Sequence, residues 1–228
     1  MVTRLFLVRH GATAHSAEDR FAGSTDVDLS PEGRAQVERL ARRLADDRVR
    51  AVYASPLRRT MDTASILAGP HALAPVPRDG LREIGHGRWE GLRRAEVEER
   101  FPEEYAAWEE DPFTFAPEGG ESGLEVMARA LPVIREVVLA HAGENVIVVS
   151  HKATLRLVVS SLLGFDARGY RDRLDQSPAC LNVVDFKDPV RARLMLFNDV
   201  SHYADHPGRP RSHLSKWWDP GEGTGPLS

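Results

Sequence analysis

The chain alternates short apolar runs with longer amphipathic stretches. Leu5-Phe6-Leu7-Val8 is an unbroken apolar run closed by Arg9-His10-Gly11, and a run of that kind predicts a strand buried on both faces. Ala51-Val52-Tyr53 repeats the pattern, and Asn145-Val146-Ile147-Val148-Val149-Ser150 is its strongest instance. Between these runs apolar residues recur at spacings of three and four, the period of a helix resting on a sheet. Val37, Leu40, Ala41, Leu44 and Ala45 do so after Ser30-Pro31, with Arg34, Arg39, Arg42 and Arg43 on the solvated side. Leu57, Thr60, Met61, Ala64 and Leu67 follow Ser55-Pro56, and Gly69-Pro70 ends that helix. In both, the serine suits the cap position. Ser122-Gly123-Leu124-Glu125 is a capping box ahead of Leu124, Met127, Leu131, Ile134 and Val138, where Pro132 is expected to kink the helix or shift its start. Leu155, Val158 and Leu162 form a last inward row before Gly164. Further strands are expected near Leu181–Phe186 and Arg193–Phe197, and a minor one at Val76. Strands alternating with helices predict an α/β fold around a parallel sheet.

The remaining stretches are loops. Ala14 to Leu29 is polar and irregular, and lies over the mouth of the first strand; its Asp26 and Asp28 read as turn formers. Three glycines between Leu81 and Gly91 exclude a helix there. Residues 91–121 form a polar, helical insertion broken by Pro102, Pro112 and Pro117. Either it is a flap packed on the sheet edge or a lid whose inner face shapes a pocket. The tail, 199–228, is rich in His, Pro and Gly, and its Trp217-Trp218 suits packing on a neighbouring surface or subunit. His202 and His206 are spaced like a metal pair on a helix, but Pro207-Gly208 oppose a helix, and no metal site is expected.

Length and composition narrow the classes. The 228 residues, 42% of them hydrophobic, fit a single domain spanning 1–228. A net charge of −4 argues against nucleic acid as a partner. Cys180 is alone, so no intrachain disulfide forms, as suits a reducing compartment. No apolar run approaches the roughly 18 residues of a membrane span, and the N-terminal run is too short for a signal peptide. The expectation is a cytoplasmic protein with no membrane partner. A homodimer stays open.

The candidate chemistry sits where predicted strands end. Ligands of open α/β sheets bind at carboxyl strand ends, and Arg9-His10 ends the first strand as His151 ends the strongest one. Arg58 and Arg59 fall in the first turn of the helix after Ala51-Val52-Tyr53, a position that favours anions. Glu83 lies in the glycine-rich loop. No Walker A loop or Rossmann fingerprint is present.

Arg9-His10-Gly11-Ala12-Thr13, Ser55-Pro56-Leu57-Arg58-Arg59-Thr60, Glu83 within the Gly87-Arg88-Trp89-Glu90-Gly91 loop, and His151 occur in order between Leu5 and Thr154. Together they resemble the histidine phosphatase superfamily, which includes the cofactor-dependent phosphoglycerate mutases. The resemblance implies a phosphoglycerate mutase-like three-layer sandwich, a mostly parallel central sheet flanked by helices. It implies His10 as nucleophile, Glu83 as proton donor, His151 as a further catalytic group, and Arg9 and Arg59 as phosphate ligands. Glu90 matches a second acidic position, read as structural. Ser16 stands where many relatives have Asn, Ala22 where many have Gln, and Lys152 where Gly usually follows the second histidine. Ser16 and Lys152 are accordingly assigned to phosphate, Lys152 with added charge for a second anion. Ser24, the loop histidine His86 and His202 of the tail are assigned to the substrate pocket.

The chemistry implied is hydrolysis of a small-molecule phosphomonoester through a phosphohistidine, with neither metal nor organic cofactor. Glu83 and His151 lie 68 positions apart, without the longer insertion of the mutases. That favours phosphatase over phosphoglycerate mutase. Phosphoserine and a sugar phosphate are the substrates to weigh. A non-catalytic phosphate-binding regulatory module is the third reading.

Overall fold

The computed structural model describes residues 1–14, 20–23, 25–208 and 214–219. Its centre is a six-stranded sheet in the order β3-β2-β4-β1-β5-β6. The strands are β1 (Thr3–Arg9), β2 (Val49–Ala54), β3 (Pro75–Pro77), β4 (Asn145–Ser150), β5 (Leu181–Phe186) and β6 (Ala192–Asp199). β1, β2, β3 and β4 run parallel, and only β5 points the other way, antiparallel to both β1 and β6. The mostly parallel α/β sandwich read from the sequence is therefore the architecture found.

The apolar runs are continuous because the sheet is covered on both faces. On one face Phe6, Val8, Val52, Ile147, Val149 and Leu181 pack against α1 (Pro31–Leu44) and α2 (Arg58–Ala68) through Val37, Leu40, Ala64 and Leu67. On the other, Leu5, Leu7, Val146, Val148 and Val184 meet α5 (Gly123–Ala140) and α6 (Lys152–Leu163) through Ile134, Val137, Leu155 and Val158. Neighbouring residues of one strand thus feed opposite cores, as the period of two requires.

Local chemistry sets most boundaries. Ser30 caps α1 by accepting from Gly33 N, with Pro31 at the first position, and Ser122 and Glu125 form the expected capping box of α5. α5 continues through Pro132 without interruption, so tertiary packing on both sides of the proline outweighs its missing hydrogen bond. Ser55 departs from its reading. Leu57 occupies the cap position of α2 without a side-chain bond, and the Asp26 carboxylate accepts from Arg58 N at 2.7 Å instead. The insertion folds as α3 (Arg94–Arg100) and α4 (Pro102–Glu110) around a separate core of Phe21, Trp89, Val97, Tyr105 and Trp108. A short helix, α7 (Tyr170–Arg173), follows α6. No helix among the described residues is long and apolar enough to cross a membrane.

Gly33 is the tightest fit between helix and sheet. A Cβ on it would lie 2.0 Å from the Ala12 carbonyl oxygen and 2.5 Å from Ala12 N. Only glycine lets α1 rest directly on the turn that follows His10. Gly33→Ala is expected to lower stability by about 1–3 kcal/mol through overpacking. Gly69→Ala, where the added carbon meets nothing within 4 Å, should be neutral or slightly stabilising. Urea midpoints of the two variants measure the contrast, and equal midpoints would refute the steric account.

Candidate active site

β1, β4 and β2 are neighbours, so their carboxyl ends present His10, His151 and Ser55 side by side. The His10 and His151 rings meet edge to face with centroids 5.3 Å apart. His10 Nδ1 lies 2.8 Å from the Gly11 carbonyl oxygen. That acceptor fixes a proton on Nδ1 and leaves Nε2 as the free lone pair. The backbone holds the ring in place, because His10 N donates to Ser150 O and its carbonyl accepts from Ala179 N. Burial, and then the charges of Arg9 and Arg59, push the His10 imidazole well below its usual range. It is an oriented imidazole held in its neutral form.

His151 Nε2 lies 2.8 Å from Ser55 Oγ, while its Nδ1 is buried without a partner. Burial and the neighbouring His10, Arg59 and Arg9 lower its pKa strongly too. Ser55 thus orients the second histidine rather than capping a helix. Its place in the Ser55-Pro56-Leu57-Arg58-Arg59 string was the available signal.

The two arginines are held by carbonyls. Arg9 Nη1 donates to Gln176 O at 2.6 Å, and its buried Nε has no partner. Arg59 donates to Thr25 O at 2.7 Å and Gly23 O at 3.1 Å. Beneath Gly23 sits Glu90, which also accepts from His86 N, a structural role as read. Burial pushes the Arg59 pKa down against the pull of Glu83 and Asp26, yet a guanidinium stays charged at any relevant pH.

Glu83 projects over the N-terminus of α6. Its carboxylate accepts from Thr154 N, Ala153 N and Thr154 Oγ1 at 3.2–3.3 Å. Arg129 of α5 pins the loop that carries it, donating to the carbonyls of Gly80, Arg82 and Glu83 while paired with Glu121. Sequence reasoning missed Arg129, since an arginine in a helix carries no mark of the loop it holds.

These groups open onto a cavity of about 220 Å³. Arg9, His10, Arg59, Glu83, His86 and Lys152 line it, with Ala22 and Gly23 on the loop side. His151 stands directly behind, fully buried. His86 packs edge-on against Phe21 at 4.9 Å, so the loop histidine is a wall of the pocket. Trp108 comes from the insertion, and Leu214 and Ser215 from the tail. The insertion thus has a core of its own and contributes Trp108 to the cavity wall. Tyr105 OH donates to Leu214 O, and Arg94 grips Asp219, which fastens the tail across α3 and α4.

Three assignments need correction or fall outside view. His202 does not line the cavity. After β6 the chain turns at the buried Val200, where Asp199 pairs with Arg43 of α1, and the turn leaves the His202 ring against Tyr203 at 4.9 Å. Ser16 and Ser24 lie outside the described residues. The sequence also gave no role to Arg156, Tyr170 and Arg171, which line the cavity. Lys152 pairs with Asp175 at 2.9 Å, and burial lowers its pKa to about 8.

Comparisons with known proteins place the chain in a family. The model of the histidine phosphatase superfamily (branch 1) matches residues 5–200. Phosphoserine phosphatase 1 of Hydrogenobacter thermophilus is 36% identical over 165 residues, 72% of this chain and 78% of that one. Glucosyl-3-phosphoglycerate phosphatase of Mycolicibacterium vanbaalenii is 37% identical over 171 residues, covering 72% and 75%. Among solved structures, Bacillus stearothermophilus YhfR superposes with a TM-score of 0.82 at 29% identity, over 88% of this chain and 98% of that one. The native mycobacterial glucosyl-3-phosphoglycerate phosphatase gives 0.79 at 29% identity, over 87% and 99%. Matched by that model over residues 5–200 and by these relatives, the chain belongs to the histidine phosphatase superfamily, branch 1.

Proposed function

We propose that this phosphoric monoester hydrolase acts on a small phosphorylated metabolite by way of a phosphohistidine on His10. The observation that carries the reading is the bond from His10 Nδ1 to the Gly11 carbonyl, inside a cavity that also holds Arg9, Arg59 and Glu83. Arg9 and Arg59 receive the phosphoryl oxygens on forked N–H groups. His10 Nε2 attacks phosphorus in line as the P–O bond to the leaving group breaks. Glu83, as the carboxylic acid, gives its proton to the departing alkoxide. The same carboxylate then takes a proton from water, whose oxygen attacks phosphorus, breaks the N–P bond and restores His10. His151 Nδ1, buried and unpartnered, supplies a further polar contact to the group in transfer. Fixed cations stabilise the charge on that group, the service a metal ion gives elsewhere, so the reading is metal-independent.

Phosphatase is favoured over mutase because the named relatives are phosphatases. Phosphoserine and the phosphoglycerate-bearing sugar of those names are candidate substrates here, beside other sugar phosphates. A cytoplasmic setting is supported by a single, buried, free Cys180. A homodimer is supported by the exposed Trp217 and Trp218.

Release of inorganic phosphate in EDTA tests the reading. His10→Ala should lose at least about 10⁴-fold in kcat/KM. Rapid denaturation in alkali, where the N–P bond survives, should trap label from a labelled monoester on wild type and none on His10→Ala. A phosphate-binding module would bind without labelling, and a mutase would move phosphate between phosphoglycerates without releasing it.

Glu83→Gln should cost about 10²- to 10⁴-fold on alkyl phosphates and markedly less on para-nitrophenyl phosphate, whose leaving group needs no proton. Equal losses on both would remove Glu83 from the acid role.

The depressed pKa of His10 sets a pH expectation. A lowered pKa keeps the ring unprotonated as pH falls through 6.5. At a fixed concentration of substrate dianion, the labelling rate should therefore stay flat from pH 7 to below 6.5. An ordinary imidazole would lose half its rate at about 6.5, and that result would contradict the assignment.

A further inference from the structure

The cavity is lined by six cationic side chains, and they fall into three pairs by what holds them. Arg9 and Arg59 face the nucleophile. Arg20 and Arg171 are committed to the scaffold: Arg20 donates to Gly91 O, and Arg171 donates to Trp108 O and pairs with Asp172. Lys152 and Arg156, one turn apart on α6, take no part in the chemistry proposed for His10 and Glu83. Both reach a single oxygen, Asp175 Oδ1, at 2.9 and 2.8 Å. Arg156 is 8% exposed, and its buried Nε has no partner. Tyr170, 3% exposed, places its ring on the same wall. Burial raises its pKa, so its hydroxyl stays a donor.

We infer that Lys152 and Arg156, with the Tyr170 hydroxyl beside them, form a second anion subsite that takes a carboxylate of the substrate a few carbons from the phosphoryl group. The inference rests on the phosphatase reading above and names the substrate class for that same cavity. Setting two cations against one carboxylate, Arg156 buried and Lys152 half-buried, leaves one positive charge and the buried Arg156 Nε unspent, an arrangement that is costly unless an anion completes it. The unspent charge matches a monoanion rather than a second phosphate. The guanidinium fork of Arg156 also matches the planar geometry of a carboxylate. The subsite adjoins the phosphate cradle, because the Arg9 charge acts on both Lys152 and Arg156. One loop ties the two sites together: the Gln176 carbonyl holds Arg9, and the side chain of Asp175 before it holds the other two. Ile84, Trp108 and Leu214 supply the apolar remainder of the wall, which suits the carbon skeleton between the two anions.

Substrates that differ in one carboxylate test this. The pairs are phosphoserine with phosphoethanolamine, and 3-phosphoglycerate with glycerol 3-phosphate. Wild type should prefer the carboxylated member of at least one pair by about 10-fold or more in kcat/KM, the effect of one charge-assisted hydrogen bond, carried mainly by KM. Lys152→Met and Arg156→Met should each bring that ratio toward one. Should Arg156→Met fail to fold, Lys152→Met and the wild-type ratio still decide. Ratios near one in wild type, with phosphate still released from phosphoethanolamine or glycerol 3-phosphate, would overturn the subsite and leave the phosphatase reading intact. A preference that survives undiminished in Lys152→Met would also overturn it. No release from any of the four while para-nitrophenyl phosphate is hydrolysed counts against the subsite alone. No release from para-nitrophenyl phosphate, and no label on His10, would instead remove the phosphatase reading.

Discussion

The site depends on holding two guanidinium groups, Arg59 buried and Arg9 half-buried, without a carboxylate hydrogen-bonded to either. Arg9 is fastened by the Gln176 carbonyl, and Arg59 by those of Gly23 and Thr25. A carbonyl is a dipole: it satisfies an N–H and fixes its direction, but it removes no net charge. A carboxylate in the same place would orient the arginine equally well and cancel most of its pull on an arriving phosphoryl group. Loops are the natural source of such carbonyls, because strand and helix carbonyls are already paired. This explains why irregular segments, 20–23 with Thr25 on one side and 174–180 on the other, surround the strand ends. It also explains the buried amides beneath the second segment. Asn182 accepts from Asn198 N and donates to Leu7 O, and it exchanges hydrogen bonds with Gln176, so the residue that offers its carbonyl to Arg9 is fixed through its side chain. A fully satisfied polar network in a core specifies one arrangement more sharply than apolar packing does.

The uncancelled charge has a second consequence for the histidines. Desolvation disfavours imidazolium in a buried site, and nearby guanidinium groups disfavour it again. For His10 the two effects act in the same direction, so on the proposed reading the cations that would attract the substrate also keep the nucleophile unprotonated. The Gly11 carbonyl then decides which nitrogen keeps the ring proton. Attraction and activation are one electrostatic arrangement, and geometry adds only direction.

The sheet was legible because its strands are covered on both faces. Asn145–Ser150 and Leu181–Phe186 were read with the boundaries found, since a doubly buried strand cannot extend into polar sequence. The reversed direction of β5 carries no mark in composition. Arg9, His10 and His151 stood out at the ends of predicted strands, whereas Arg59 and Glu83 were singled out by the resemblance of their motifs. Ser55 was assigned to a helix cap because a Ser-Pro pair has that local meaning, whereas its partner His151 lies 96 positions away. His202 was placed by the resemblance alone, and the turn at Val200 leaves its ring against Tyr203 instead of in the cavity. Asp175, Gln176 and Arg129 act by reaching across the fold, and nothing local distinguishes them from surface polar residues.

A contrast between the two cation pairs completes the electrostatic picture. Lys152 and Arg156 are held by a carboxylate, whereas Arg9 and Arg59 are held by carbonyls. The first pair is thereby half discharged. A phosphoryl group changes its bonding during the reaction and needs the full field at the strand ends, while a spectator anion needs only enough charge to be recognised. Since Asp175 and Gln176 are adjacent, a shift of that one loop would alter both fields together. Under the inference above, recognition of the substrate's far end and the grip on its reacting end would be coupled through that loop, although the two fields differ in strength.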